Sequence, residues 1–206
     1  VKLVYEAGFI GSWLYRMLND RGFDVIITPP ALIPRSGSRV KTDKRDAEKL
    51  ARYLAVGVLK AVYVLPVWAE AHRSLIRRRR QVVKNRTRVK AQIRSLLKLH
   101  GITTPEALKT TWSQRYINWL DGLSFEFRPW RESLDLLLAE HELLSSQEKQ
   151  LYKSLDELTE HDFYADKYAH LTAAKGVGLI TAMTFLLEIH DAVSYTHLTL
   201  PTTSVV

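Results

Sequence analysis

The sequence predicts a mixed α/β segment, then a long antiparallel coiled-coil arm, then the opening of a further α-helical domain. Three observations carry that expectation. Strand, helix and strand follow one another within about the first 28 residues, the order of a βαβ unit with parallel strands. Apolar residues then recur every seven positions in two long segments, as they do along the seam between packed helices. Near the end, two glycines one residue apart open an apolar helix.

Residues 1–8 read as a short apolar strand ending in Glu6-Ala7-Gly8. A helix follows, with Ile10, Trp13, Leu14, Met17 and Leu18 on one face and Gly22 past its end, where a residue free to turn left-handed is favoured. Asp24-Val25-Ile26-Ile27 is the second strand, stopped by Pro29-Pro30. Pro34-Arg35-Ser36-Gly37-Ser38-Arg39 has the composition of a loop. A helix is expected from about 42 to 55, and Ala61-Val62-Tyr63-Val64-Leu65 reads as a third strand closed by Pro66.

From Trp68 the character changes. Between 71 and 100 stand eleven Lys or Arg and no acidic residue, so the rest of the chain carries 19 basic against 22 acidic residues. This one segment supplies the positive excess. Leu75, Val82, Val89 and Leu96 mark its seam, and Leu137, Leu144, Leu151 and Leu158 mark that of a later helix from about 129 to 160. The later helix has eight Asp or Glu against three Lys or Arg between 131 and 160. Apolar seams with opposite flanking charge predict that the two helices pack antiparallel. Between them Thr104-Pro105-Glu106 should open one shorter helix carrying Leu108, Trp112, Ile117 and Leu120. Lys175-Gly176-Val177-Gly178 before Leu179-Ile180-Thr181-Ala182 has the form of a helix-hairpin-helix. The expected divisions are thus 1–66, 67–160 and 165–193. Residues 194–206 resemble a translated sequencing adapter. They read as a non-native tail, and the chain, which starts without Met, reads as a fragment.

Composition bounds the function. The 206 residues include no Cys, which excludes a disulfide scaffold and thiolate metal sites. No run of 18 apolar residues occurs, so no membrane-spanning helix is expected. The net charge of +8 points to a polyanionic partner. The basic face Arg77, Arg78, Arg79, Arg80, Lys84, Arg86, Arg88, Lys90, Arg94 suits phosphate contacts, which give affinity without reading sequence. Partial pairing with the acidic helix is the competing account. Lys175, Gly176 and Gly178 could hold a phosphate on helix-start amides or simply make a tight turn. The seven His show no ligand spacing, and Trp112, Tyr116 and Trp119 sit at helical spacing suited to a core.

The acidic residues carry the chemistry. Thr42-Asp43-Lys44-Arg45-Asp46-Ala47 places two carboxylates three residues apart on one face of a helix start. Glu6 ends a parallel strand, the edge where α/β sheets place their sites. Mg²⁺ takes such oxygen ligands together with phosphate. On spacing alone, an N-cap at Asp43 and a first-turn charge at Asp46 account for the pair more simply.

Tyr5-Glu6-Ala7-Gly8, the amphipathic helix and Lys41-Thr42-Asp43-Lys44-Arg45-Asp46-Ala47 resemble the DEDD-type insertion-sequence transposases. The likeness runs through Arg79-Arg80-Gln81, Arg86-Thr87-Arg88-Val89-Lys90 and Leu96-Leu97 to Gly101-Ile102, and resumes at 175–182. It implies a partial RuvC-like (ribonuclease-H-like) fold for 1–66 and the start of a C-terminal transposase domain for 165–193. It also implies a Mg²⁺-dependent recombinase acting on element-end and target DNA, guided by a structured RNA, working as a homodimer or higher homo-oligomer in the prokaryotic cytoplasm at the nucleoid. By position, Glu6, Asp43 and Asp46 match the second, third and fourth acidic ligands. The first would lie upstream of Val1, and neither Ser194 nor Ser204 matches the motif of the nucleophilic serine, so the fragment is expected to be inactive alone. Two alternatives stay open: a Holliday-junction-resolvase-like nuclease using the same carboxylates, and a non-catalytic nucleic-acid-binding dimer.

Overall fold

The computed structural model describes residues 1–34, 42–108 and 112–190. The expected loop at 35–39 and tail at 194–206 lie outside them. The chain divides into two compact units at residue 67.

In the first unit, β1 (Lys2–Glu6) and β2 (Asp24–Thr28) pair in parallel, with Glu6 opposite Thr28. The crossover is α1 (Trp13–Asp20), which packs on β2. This is the expected βαβ order. Val25 and Ile27 alternate into the buried face of β2, as a two-residue side-chain period demands. Tyr5 fixes the turn that follows β1. Its hydroxyl donates to the Gly11 carbonyl at 2.8 Å and accepts from the Tyr15 amide at 3.2 Å. Helix α2 (Asp43–Ala55) packs on β1, and its N-cap is Thr42, whose side chain accepts from the Arg45 amide.

The third strand is not formed among the described residues. From the 61–65 segment one backbone bond reaches the sheet, Val62 N–H to the Ile27 carbonyl at 2.7 Å. The Leu65 carbonyl accepts from the Arg16 guanidinium instead, at 3.0 Å. Pro66 has no N–H to extend a ladder, and the long helix begins directly after it.

In the second unit, α3 (Val67–Leu99) and α5 (Arg128–Glu157) are long and antiparallel. Arg79 meets Glu148 at 3.0 Å, while Arg88, further along α3, meets Glu140, earlier on α5, at 3.6 Å. The buried residues only partly follow the expected seams. On α3 they include Ile76, Val82, Val89, Ile93 and Leu97, with Leu75 and Leu96 half-buried. On α5 they are Leu134, Leu138, Leu144 and Leu155, while Leu137, Leu151 and Leu158 are half-buried. A helix with 3.6 residues per turn drifts from a seven-residue repeat. A third helix, α4 (Gln114–Asp121), also packs here through Tyr116 and Leu120. The buried face is therefore wider than a two-helix seam.

The helix expected from 104 onward is split. A 3-10 turn spans Glu106–Leu108, and α4 starts anew at its cap Ser113, whose hydroxyl accepts from the Tyr116 amide at 3.3 Å. Between them Trp112 sits at φ 69°, a left-handed conformation no α-helix continues through.

The last described residues form a helical hairpin, α6 (Ala165–Thr172) and α7 (Leu179–Ile189). Gly176 makes its turn at φ +91°, where any side chain would strain the backbone. A second core joins Ile76 of α3, Leu155 of α5, Tyr164 and the α7 residues Leu179, Met183, Leu186 and Leu187. Arg73 caps α7 from α3, its Nε donating to the Leu187 carbonyl at 2.8 Å and an Nη to that of Glu188 at 2.9 Å.

The Glu188 carboxylate receives a two-pronged contact from Arg77, at 2.7 Å and 3.1 Å, beside Arg73 and Arg80. The Arg77 hydrogen bond and the cationic surroundings hold its pKa below the ordinary 4.5. A carboxylate whose folded pKa is depressed stabilises the fold above its unfolded pKa, and the gain is lost as pH falls through the folded value. Thermal melts of the wild type should lose stability below pH 4.5 faster than those of Glu188→Gln. Parallel curves would remove Glu188 from the docking of α7.

Candidate functional site

Glu6 stands exposed at the carboxyl end of β1. Asp43 and Asp46 lie in the first turn of α2, three residues apart, Asp43 exposed and Asp46 half-buried. Because Thr42 is the cap, Asp43 is a helical first-turn residue and not the cap. Both carboxylates face the positive end of the helix dipole, which stabilises them whatever else they do. Glu6 has a neighbour the sequence did not single out. Its register partner Thr28 is fully buried, and the Thr28 hydroxyl has no hydrogen-bond partner among the described residues. A buried hydroxyl at the same strand edge is a polar group available to a site there.

The donor set has the oxygen chemistry of a Mg²⁺ site. Among the described residues, however, no group of three or more His, Cys, Asp or Glu could hold a metal ion. Glu6, Asp43 and Asp46 are therefore not gathered into one ligand cluster. One or two of these carboxylates could hold Mg²⁺ only with substrate phosphate and water completing its shell. Three of the histidines, without ligand spacing in sequence, do come together. His72, His161 and His190 surround Trp68 with ring centroids 5.3–5.6 Å away. This is packing at the base of α3.

The basic helix sorts into paired and unpaired cations. Arg77 and Arg80 face Glu188, Arg79 and Arg86 share Glu148, and Arg88 faces Glu140. The account in which the acidic helix pairs the basic one thus holds for part of the row, Glu148 and Glu140 both lying on α5. Arg78 reaches the Gln147 side chain at 3.4 Å. Lys84, Arg94 and Lys98 are exposed and have no carboxylate partner among the described residues. Lys90 is half-buried, its ammonium 4.9 Å from the Trp112 ring centre. Desolvation, then Arg86, push the Lys90 pKa down, Glu148 opposing them. Lys84, Arg94 and Lys98 are thus the cations of this row left open to an anion.

Lys175, Gly176 and Gly178 are exposed at the α6–α7 turn. Gly178 caps α7 with extended backbone, and a Cβ added there would meet open space. Neither backbone strain nor packing demands glycine at that position.

Residues 3–102 match the family model of the DEDD transposases of the IS110 type, described as transposase. Over 193 residues, 93% of this chain and 46% of the relative, it is 35% identical to y4qE of Sinorhizobium fredii, named as a transposase. Over 191 residues, 91% of the chain and 54% of the relative, it is 31% identical to the transposase for insertion sequence element IS1533 of Leptospira borgpetersenii. The chain spans about half the length of these curated relatives. The chain is thus similar to IS110-type transposases over most of its length. No helix among the described residues is long and apolar enough to cross a membrane.

Proposed function

We propose that this chain is the carboxylate-bearing and nucleic-acid-gripping part of a DNA transposase that moves an insertion element by strand cleavage and exchange. The observation that carries the reading is the set of exposed cations on α3 without carboxylate partners among the described residues, Lys84, Arg94 and Lys98, in a chain whose residues 3–102 match a transposase family. Glu6, Asp43 and Asp46 serve as the acidic residues of the reaction, and Mg²⁺ is the ion they would take, supplying charge neutralisation at a phosphate. This chain's own part is to present Glu6 on a strand end and the Asp pair on a helix start, and to hold the substrate through α3. Lys175, Gly176 and Gly178 add a backbone contact at the α7 start.

Guidance by a structured RNA, a serine nucleophile and a RuvC-like fold for residues 1–66 are the finer parts of the proposal and rest on the sequence resemblance. Working as a homo-oligomer at the nucleoid belongs with them. Self-association is supported by Leu136 and Leu143, seven residues apart and exposed on α5.

In a chain extended to the length of its relatives, Asp43→Asn with Asp46→Asn should lower transposition at least about a hundredfold, beyond the 10–100-fold typical of outer-shell changes. DNA binding should survive. Unchanged transposition would show that the pair only caps α2. The absence of a three-carboxylate cluster among the described residues is the observation that favours that non-catalytic reading. Cleavage of branched DNA persisting after every serine of the extended chain is replaced would favour the resolvase-like nuclease.

A further inference from the structure

We propose that the cleft between α3, α4 and α5 receives one unpaired nucleotide of a bound nucleic-acid strand, its phosphate held by Lys90 and Lys149 and its base beside Trp112. The inference rests on the nucleic-acid reading of α3 given above.

The cleft has a volume of about 740 Å³, inside the range of about 300–1,000 Å³ usual for ligand pockets. Its lining carries both signs of charge. Lys90 of α3 and Lys149 of α5 line it without carboxylate salt-bridge partners among the described residues, since Glu148 is taken by Arg79 and Arg86. Asp121 of α4 and Glu142 of α5 also line it, without cationic partners among the described residues. Cations bind phosphate, and carboxylates accept from base amino groups or sugar hydroxyls while repelling phosphate.

Trp112 lines the cleft with its ring half-buried against Tyr116 at 5.3 Å. Its left-handed backbone, φ 69°, is the kind of local strain that persists at ligand sites. The Lys90 ammonium and the Arg94 guanidinium lie 4.9 and 5.6 Å from its ring centre, and His141 lies 5.1 Å away at a 32° tilt. Burial first, then Lys90 and Arg86, hold the His141 pKa below 6.5, which favours the neutral imidazole. The indole Nε1 of Trp112 and Nε2 of His141 are buried without hydrogen-bond partners among the described residues. Such orphaned groups call for a further polar partner.

The path to the cleft favours a nucleic-acid strand over a free small molecule. Arg86, Lys90, Arg94 and Lys98 follow one another at four-residue spacing, which places them as a stripe along one side of α3. Phosphates tracked by Arg94 and Lys98 lead to Lys90 at the cleft.

The test compares two RNA hairpins that differ by one bulged nucleotide, and the same two hairpins in DNA. The wild-type chain should prefer the bulged form about tenfold, the scale of one base stacked on an aromatic ring. Trp112→Leu and the surface variant Lys149→Gln should each abolish the preference while leaving affinity for the fully paired hairpin within about twofold, the loss of one salt-screened contact in many. A preference in RNA alone assigns the pocket to an RNA strand, and in both sugars to either strand. Equal binding of bulged and paired hairpins by the wild type would overturn the pocket while leaving the grip by α3 intact. Loss of all binding in wild type would instead remove the reading on which it rests. Because Lys149 is exposed, its variant decides the matter even if Trp112→Leu fails to fold.

Discussion

Leu134→Ala should lower the unfolding free energy of the second unit by about 3 kcal/mol, within the range for large-to-small changes in a packed core. Leu134 is fully buried on α5, in the cluster that joins Val82, Val89 and Ile93 of α3 with Tyr116 and Leu120 of α4. Three helices converge on it, so none can collapse into the void without moving the other two, and the cavity persists. Leu136→Ala, two residues away on the exposed face, should change stability by less than about 0.5 kcal/mol. Equal effects of the two, read by chemical denaturation, would contradict the packing described for α5.

Glu148→Ala should cost about 2 kcal/mol. The carboxylate bridges Arg79 at 3.0 Å and Arg86 at 2.6 Å, and its side chain is only 16% exposed. Removing one member of a buried ion pair costs about 3–5 kcal/mol because the partner charge is left desolvated. Here the guanidiniums keep 19% and 28% of their exposure, so water recovers part of that loss. The comparison is Glu140→Ala, whose partner Arg88 is 63% exposed and whose loss should cost at most about 1 kcal/mol. A double cycle with Arg79→Ala isolates the pairing, and a coupling near zero would contradict the bridge.

The local parts of this fold were legible. A strand ending at Glu6, a glycine past the first helix and proline after the second strand placed β1, α1 and β2 within a few residues of their observed bounds, because each boundary has a cause in its own side chains. The antiparallel pairing of α3 and α5 was legible from complementary charge. What escaped depends on partners remote in sequence. The 61–65 run has strand composition, but Arg16 takes the Leu65 carbonyl. Nothing around Trp112 signals a left-handed residue, while its ring contacts come from Lys90 and Arg94 of α3 and His141 of α5. Leu134 and Leu138 were missed because a strict heptad selects a narrower face than a three-helix core uses.

At the site, spacing alone puts Asp43 and Asp46 on one turn of α2, as observed. Their relation to Glu6 runs through a helix packed on a strand, which spacing does not encode. Thr28 ends its strand like any threonine, and only the register places it opposite Glu6. The basic run announced its charge. It did not announce that Glu148, Glu140 and Glu188 would claim six of its arginines, leaving Lys84, Arg94 and Lys98 to face solvent.

Those three residues give the most direct test of the central claim. The chain and its Lys84→Glu/Arg94→Glu/Lys98→Glu variant would be titrated with a DNA duplex and a folded RNA over a range of salt concentrations. The wild type should bind both, with affinity falling steeply as salt rises. The variant should bind far more weakly, with the slope of log affinity against log salt for the duplex smaller by about three, one unit per lost phosphate contact. Equal affinity and equal slope in the two proteins would mean that the unpaired face of α3 touches no phosphate, and the claim that this helix grips nucleic acid would be wrong.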